Sequence, residues 1–292
     1  MTDVLIIGGG PAGVSAALYT ARAGMKTKII YKDAGALTKA EKVDNFYGSS
    51  GVIGSELITA GLTQAANVGA DVIQGEVVKV EHVFDDDYAS FHIDTADASF
   101  TARALLLATG TNRQTPNITG LAALEGKGVS YCAVCDAFFY KNKDVAVLGH
   151  SRYALSEAME LLPLVKSVSL LTNGKEPEAN FPPEIRVYKE KIAEIQGDTK
   201  LRGVVLDSES ETLPMDGIFV ALGTAGATAL ARKLGALTEN NDVIVDAKMR
   251  TNIPGLWAAG DCTPGMKQIA KAVYDGAIAG SDIVREIRMV GQ

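Results

Sequence analysis

Cysteine is scarce in this chain, with three in 292 residues. So few exclude a disulfide-stapled scaffold. Histidine is equally rare, at three, and no two histidines stand at a paired spacing, so no complete metal-ligand set can be assembled and no metal is expected. Basic charge does not dominate: 28 Lys and Arg stand against 35 Asp and Glu, a net charge of -7 that argues against nonspecific nucleic-acid binding. A local basic patch stays possible. No apolar run approaches the roughly 20 residues of a membrane crossing. The first apolar strand starts at Val4, which leaves no room ahead of it for a signal peptide. The expected setting is the reducing cytoplasm, where a close cysteine pair is more often catalytic than structural.

What is present is alternation. The length suggests about two domains, and a hydrophobic share of 47% supplies two cores. Val4–Gly13 reads VLIIGGGPAG and Val145–Ala154 reads VAVLGHSRYA, each an apolar run ending in glycine before a helical pattern. Helices are expected at about Pro11–Ala23 and Tyr153–Leu162, followed by strands at Thr27–Tyr31 and Ser167–Thr172. Further strands, Ala104–Ala108 and Leu256–Ala259, read as parts of the first module, and Gln268–Arg288 as a long helix. Asp71–Phe100 reads as β-hairpins turning at Asp85–Asp87. The fold class is therefore α/β, with two Rossmann-like domains of the three-layer ββα type, the second inserted into the first. Residues 1–112 and 244–292 would form one, and 113–243 the other, with hinges near Asn112–Gly120 and Asn240–Asp246.

The run Gly8-Gly-Gly10-Pro11-Ala12-Gly13 follows a strand and opens a helix. In that context Gly8 permits the tight turn, Gly10 the approach of a pyrophosphate, and Gly13 close helix–strand packing. The phosphates would lie at the positive end of the helix. The second strand ends Tyr31-Lys32 with Asp33 just beyond, an imperfect match to the acid that usually holds the adenosine ribose. Gly260-Asp261 ends another strand, and its carboxylate suits the hydroxyls of a ribityl chain. The helix near Gln268 would aim its N-terminus at a flavin ring. FAD is favoured over NAD as the bound cofactor.

Cys132-Ala-Val-Cys135 is followed at once by Asp136. Two intervening residues let the sulfurs meet, and a helix opening there favours thiolate. Half of a zinc site or an inert disulfide are the rival readings. The remaining cysteine, Cys262, reads as a small buried residue.

Taken together, GGGPAG, Asn45-Phe46 with Gly48, Ala108-Thr109-Gly110-Thr111, Gly128–Asp136 with Phe138-Phe139, and Ala259-Gly260-Asp261 with Gln268-Ile269-Ala270 make the chain resemble the low-molecular-weight thioredoxin reductases over nearly its full length. The resemblance implies a homodimer, FAD in the discontinuous domain and the cysteine pair in the inserted one. It makes Cys135 the sulfur next to the flavin, Cys132 the attacker of the partner disulfide, and Asp136 the proton handler. Three pieces depart from the family. The second fingerprint is Gly149-His-Ser-Arg-Tyr-Ala154, the 2′-phosphate cluster is replaced by Thr172-Asn173-Gly174-Lys175-Glu176, and a later motif is Gly223–Thr228. One lysine beside an acid substitutes poorly for paired arginines.

The resemblance thus narrows to the ferredoxin-dependent flavin thioredoxin reductases. Electrons would pass from reduced ferredoxin through FAD and Cys132–Cys135 to thioredoxin, with the domains rotating between the two exchanges. Ferredoxin would be steered by basic residues among Lys141, Lys143, Arg152, Lys166, Lys267 and Lys271. Tyr131 and Phe138 would serve packing. An NADPH-dependent thioredoxin reductase with an atypical site, an FAD-dependent dithiol oxidase using oxygen, and a noncatalytic flavin module are the alternatives.

Overall fold

The computed structural model describes residues 2–33, 35–84, 89–110, 117–131, 133–207, 211–222 and 226–290. The chain divides into two compact units, one of residues 1–112 and 226–292, the other of 113–225.

The first unit begins with β1 (Thr2–Ile7), α1 (Pro11–Arg22) and β2 (Thr27–Tyr31). Apolar runs buried on both faces belong to parallel strands, and β1 pairs in parallel with β2. Pro11 opens α1 at the position where a missing N–H costs nothing. Next come α2 (Gly54–Asn67), β3 (Asp71–Gln74), β4 (Val77–Phe84), β5 (Ala89–Thr95) and β6 (Ser99–Leu107). β4 and β5 form one hairpin, whose tip, expected at Asp85–Asp87, lies outside the described residues, and β5 and β6 form a second. β3, expected within the hairpins, runs parallel to β2 instead. A period of two marks a strand but does not name its partner.

β6 changes character along its length. Its first half alternates in burial and pairs with β5; its second half is buried throughout. That second half lies between β1 and a strand from far along the chain, β17 (Leu256–Ala258).

The second unit holds β7 (Val129–Ser130), α3 (Ala133–Asp136), β8 (Asp144–Leu148), α4 (Arg152–Leu161), β9 (Ser167–Leu171) and β10 (Arg186–Tyr188). β11 (Ile192–Gly197), β12 (Leu201–Leu206), β13 (Thr212–Pro214) and β14 (Gly217–Val220) complete it. Its parallel sheet runs β10-β9-β8-β14-β7, and β11-β12-β13 form a separate antiparallel sheet. Leu148, Leu171 and Ile218 of the first share one core with Ile195, Val204 and Leu206 of the second. The two units are thus α/β with parallel sheets, Rossmann-like in type.

The chain rejoins the first unit earlier than residue 244. Residues 226–243, containing α5 (Ala227–Lys233), β15 (Thr238–Glu239) and β16 (Asp242–Val243), group with the first unit and not with the second. The reason is hydrogen bonding. Ala227 N–H donates to Thr109 Oγ1 at 2.7 Å, Val243 N–H to Cys262 O at 2.7 Å, and Leu237 N–H to Asn252 Oδ1 at 2.8 Å. Asn240–Asp246, expected as a hinge, therefore spans a hairpin of the first unit; the other expected hinge falls largely outside the described residues. The chain closes with α6 (Ile269–Val290). α6 lies against α1 through small residues. A Cβ on Gly276 would meet Ala12 O at 2.1 Å, and one on Gly280 would meet Ala16 O at 2.7 Å.

Candidate functional site

The glycine run of the first unit is shaped by three different constraints. Gly8 has φ +123°, and a side chain there would strike Ala108 O at the end of β6, 2.2 Å away. A Cβ on Gly13 would lie 1.9 Å from Gly8 O. Gly10 is the opposite case, because a Cβ there meets nothing within 4 Å. Gly10 also caps α1 with no side-chain hydrogen bond. The start of α1, with its unpaired N–H groups, therefore faces an open cradle. Ala12 is buried, and a Cβ on Gly260 would meet its methyl at 2.8 Å, so the Gly260-Asp261 turn passes directly beside the fingerprint.

That turn is held from below. Asp275, buried on α6, accepts Gly260 N–H at 3.1 Å and pairs with Lys271 at 2.7 Å. Lys271 also donates to Gly260 O at 2.9 Å and to Thr263 Oγ1 at 2.7 Å. Asp261 itself is partly exposed and takes no hydrogen bond among the described residues. Asn45 Nδ2 donates to Gln268 Oε1 at 3.0 Å, joining the loop after β2 to the start of α6, where Ile269 is half-buried and Ala270 exposed. Thr109, followed by Gly110, accepts the first amide of α5. The structure thus gathers Gly8–Gly13, Gly260-Asp261 and the Asn45–Gln268 pair around unit-one strand ends. Lys267, bound to Asp242 at 2.7 Å, and Lys271 are committed to internal bonds and not to a docking patch.

In the second unit, Cys132 lies outside the described residues, and Cys135 occupies α3. Asp136 ends that helix, and Ser130 Oγ donates to its Oδ2 at 2.6 Å. Tyr140 has its phenol raised, by burial first and then by the Asp136 and Asp216 carboxylates. Tyr131 packs on the core as expected, but Phe138 and Phe139 do not pack. They are 79% and 67% exposed, in an edge-to-face pair. Lys166 N–H donates to Lys143 O, so these two exposed lysines adjoin, although Lys166 is bonded to Asp144 at 2.8 Å.

The second fingerprint turn is occupied by its own chain. Gly149 retains its packing role, since a Cβ would meet Ala221 O at 2.3 Å. Glu178 N–H donates to His150 O at 2.7 Å, and its carboxylate lies 3.4 Å from His150 Nδ1. Ser151 caps α4 and is buried. Beyond β9, Asn173 Oδ1 accepts Ile192 N–H, Gly174 N–H donates to Lys189 O, and Glu176 pairs with Lys189. Residues 223–225 of the Gly223–Thr228 segment lie outside the described residues; Thr228 donates to Asn241 O.

Residues 2–276 match the pyridine nucleotide-disulphide oxidoreductase family. The thioredoxin reductase of Listeria monocytogenes is 33% identical over 96% of this chain and 92% of its own. This chain belongs to the thioredoxin reductases. Among solved structures, the atypical thioredoxin reductase TRi from Desulfovibrio vulgaris Hildenborough superposes with a TM-score of 0.88 at 38% identity, covering 99% of both chains. A ferredoxin-flavin thioredoxin reductase from Clostridium acetobutylicum gives 0.70 at 32% identity, covering 99% of this chain and 98% of that one. The activity is accordingly that of an oxidoreductase acting on sulfur, a disulfide reductase of thioredoxin reductase type.

Membership in the thioredoxin reductases sharpens the meaning of several contacts that sequence reading missed. Ser130 and Glu178 carry no motif of their own. Only the i,i+4 spacing of Lys271 and Asp275 on one helix is visible in the sequence as a pair. No helix among the described residues is long and apolar enough to cross a membrane.

Proposed function

We propose that this thioredoxin reductase family member reduces thioredoxin with electrons from reduced ferredoxin, through FAD and the Cys132–Cys135 pair. The fit to FAD rests on the open cradle at Gly10 and the free carboxylate of Asp261. The glycine turn Gly8–Gly13 and the start of α1 would hold the pyrophosphate, Asp261 the ribityl hydroxyls, and Asn45, Thr109-Gly110 and Gln268–Ala270 the ring. When bound, FAD supplies a centre that accepts electrons singly and delivers them to a disulfide in pairs.

The residues of the second unit perform the exchange with the protein substrate. Cys132 thiolate attacks one sulfur of the thioredoxin disulfide, forming a mixed disulfide as the other sulfur leaves and takes up a proton. Cys135 thiolate then attacks the Cys132 sulfur, closing Cys132–Cys135 and releasing the second thiol. Asp136, held by Ser130, relays the proton. Exposed Phe138 and Phe139, just past the pair, offer apolar area to a docking protein. Two copies of the chain would form the working homodimer.

The donor assignment is carried by one observation, the Glu178 clamp on His150. It puts a carboxylate and a backbone bond on the turn that a dinucleotide pyrophosphate would need. An acid there repels phosphate, and Ser151 stands where the fingerprint has its second glycine. Anaerobic titration of the flavoprotein with NADPH, NADH and reduced ferredoxin tests the reading. Only ferredoxin should bleach the flavin on the turnover timescale; rapid bleaching by NADPH refutes ferredoxin as the donor, and peroxide formed from a dithiol and oxygen points to an oxidase.

A further inference from the structure

The end of β2 has no part in the exchange just described, yet it departs from what a dinucleotide turn usually carries. An acid ordinarily stands there and holds the adenosine ribose. Here the strand ends at Tyr31, which is tied to the glycine turn. Ile30 pairs with Ile7 across β1 and β2, and its carbonyl accepts Gly8 N–H at 2.8 Å. On the β3 side, Tyr31 O accepts Gly75 N–H at 2.9 Å. The residue is thus fixed beside the fingerprint, and its side chain lies on Gly9. A Cβ on Gly9 would stand 2.9 Å from Tyr31 Cγ and 3.1 Å from Tyr31 Cβ, inside the ordinary contact of about 3.5–4.0 Å. The middle glycine of the run is the residue that leaves room for this ring.

The neighbouring polar side chains are engaged elsewhere. Lys32 Nζ pairs with Glu76 at 3.2 Å, and the alternation of a strand turns it to the opposite face from Tyr31. Asp33 Oδ1 accepts Gly35 N–H at 2.9 Å, closing the loop that follows. Tyr31 is half-buried with its ring packed on the core, while its hydroxyl takes no hydrogen bond among the described residues. A phenol both donates and accepts, so it can bond a sugar hydroxyl as a carboxylate does, without bringing a charge. We propose that Tyr31 is the ribose-recognition residue of the flavin site: its phenol stands in for the absent acid and bonds the 2′-hydroxyl of the adenosine half of FAD. The inference rests on reading the Gly8–Gly13 cradle as an FAD site.

The test is a pair of calorimetric titrations. The full chain, freed of flavin, is titrated with FAD and with an FAD analogue lacking the adenosine 2′-hydroxyl. The unsubstituted protein should prefer FAD by about fivefold, the worth of one net hydrogen bond. Tyr31→Phe keeps the ring on Gly9 and removes the hydroxyl. It should lower FAD affinity by that factor and leave the analogue's affinity unchanged, so the preference disappears. A tyrosine that served packing alone would leave the preference intact, and a Tyr31→Phe protein that still prefers FAD by the full factor overturns the proposal. Asp33→Asn should keep the preference; its loss there would assign the ribose to the acid just beyond the strand and overturn the proposal equally. Should Tyr31→Phe fail to fold, the other two proteins decide. A preference kept by both sustains the proposal, and equal affinities in the unsubstituted protein overturn it. If the unsubstituted chain binds neither ligand, it is the FAD reading that fails, and the ribose contact with it.

Discussion

Ser130 and Asp136 show how one short bond turns a helix-end acid into a directed group. The Ser130 hydroxyl fixes Asp136 at 2.6 Å, on the residue after Cys135. A carboxylate so held can exchange a proton without first paying rotamer entropy. Asp136→Asn should lower turnover with a disulfide substrate by about 100-fold, within the span of general acid–base contributions. Ser130→Ala should lower it by a smaller factor. Flavin content should stay unchanged in both, as read from the visible spectrum. Equal turnover in Asp136→Asn and the unsubstituted protein would remove the acid from the mechanism.

At the scale of elements, the strand–glycine–helix units separate structural glycines from ligand glycines. Gly13→Ala forces a methyl into Gly8 O and should destabilise the fold by about 2 kcal/mol or more. Gly10→Ala adds a methyl to open space, so the apoprotein should melt as before while its FAD affinity falls. Thermal melts of the apoprotein beside flavin titrations distinguish the two effects. This element was legible in the sequence because the signal is local: an apolar run, glycines and a helical pattern lie within a few residues. The same holds for Thr27–Tyr31, which is β2 residue for residue, and for Leu256–Ala259, which overlaps β17. Other features were not legible because their partners are set by tertiary packing. β3 could not announce β2 as its neighbour. Nothing in Glu178 points to His150, since a glutamate on a loop ordinarily faces water. Residues 226–243 were misplaced for the same reason: the hydrogen bonds to Thr109, Cys262 and Asn252 join positions far apart in the chain.

At the scale of the whole molecule, stability should respond to acid through one buried cluster. Asp282 is almost fully buried on α6 and binds Arg250, Arg285 and the Trp257 indole. Burial opposes its ionisation, but the Arg250 and Trp257 hydrogen bonds and the two guanidiniums outweigh it, holding the carboxyl below its ordinary value. A depressed pKa contributes stability that is complete above the ordinary carboxylate range and is lost as pH falls through the depressed value. Urea midpoints should therefore decline below about pH 4. Asp282→Asn should cost about 2 kcal/mol at neutral pH by removing a buried charge-assisted bond and leaving Arg250 paired with Glu286 alone, and its further decline in acid should be shallower. Parallel acid limbs in the two proteins would show that the cluster does not govern the response.

The divided edge of β6 bears on how the molecule is made. Its first half is clasped by the neighbouring hairpin, but its second half waits for β17, which leaves the ribosome only after the whole second unit has been synthesised. The continuous stretch 113–225 has its sheet strands complete within itself, so it is free to fold while the first sheet still lacks a strand. A nascent chain stopped before Leu256 would leave Leu105–Leu107 with a bare hydrogen-bonding edge, the kind of surface that recruits a stranger's strand. The last stretch of translation thus closes the seam, and premature termination yields a sticky intermediate instead of a shorter enzyme.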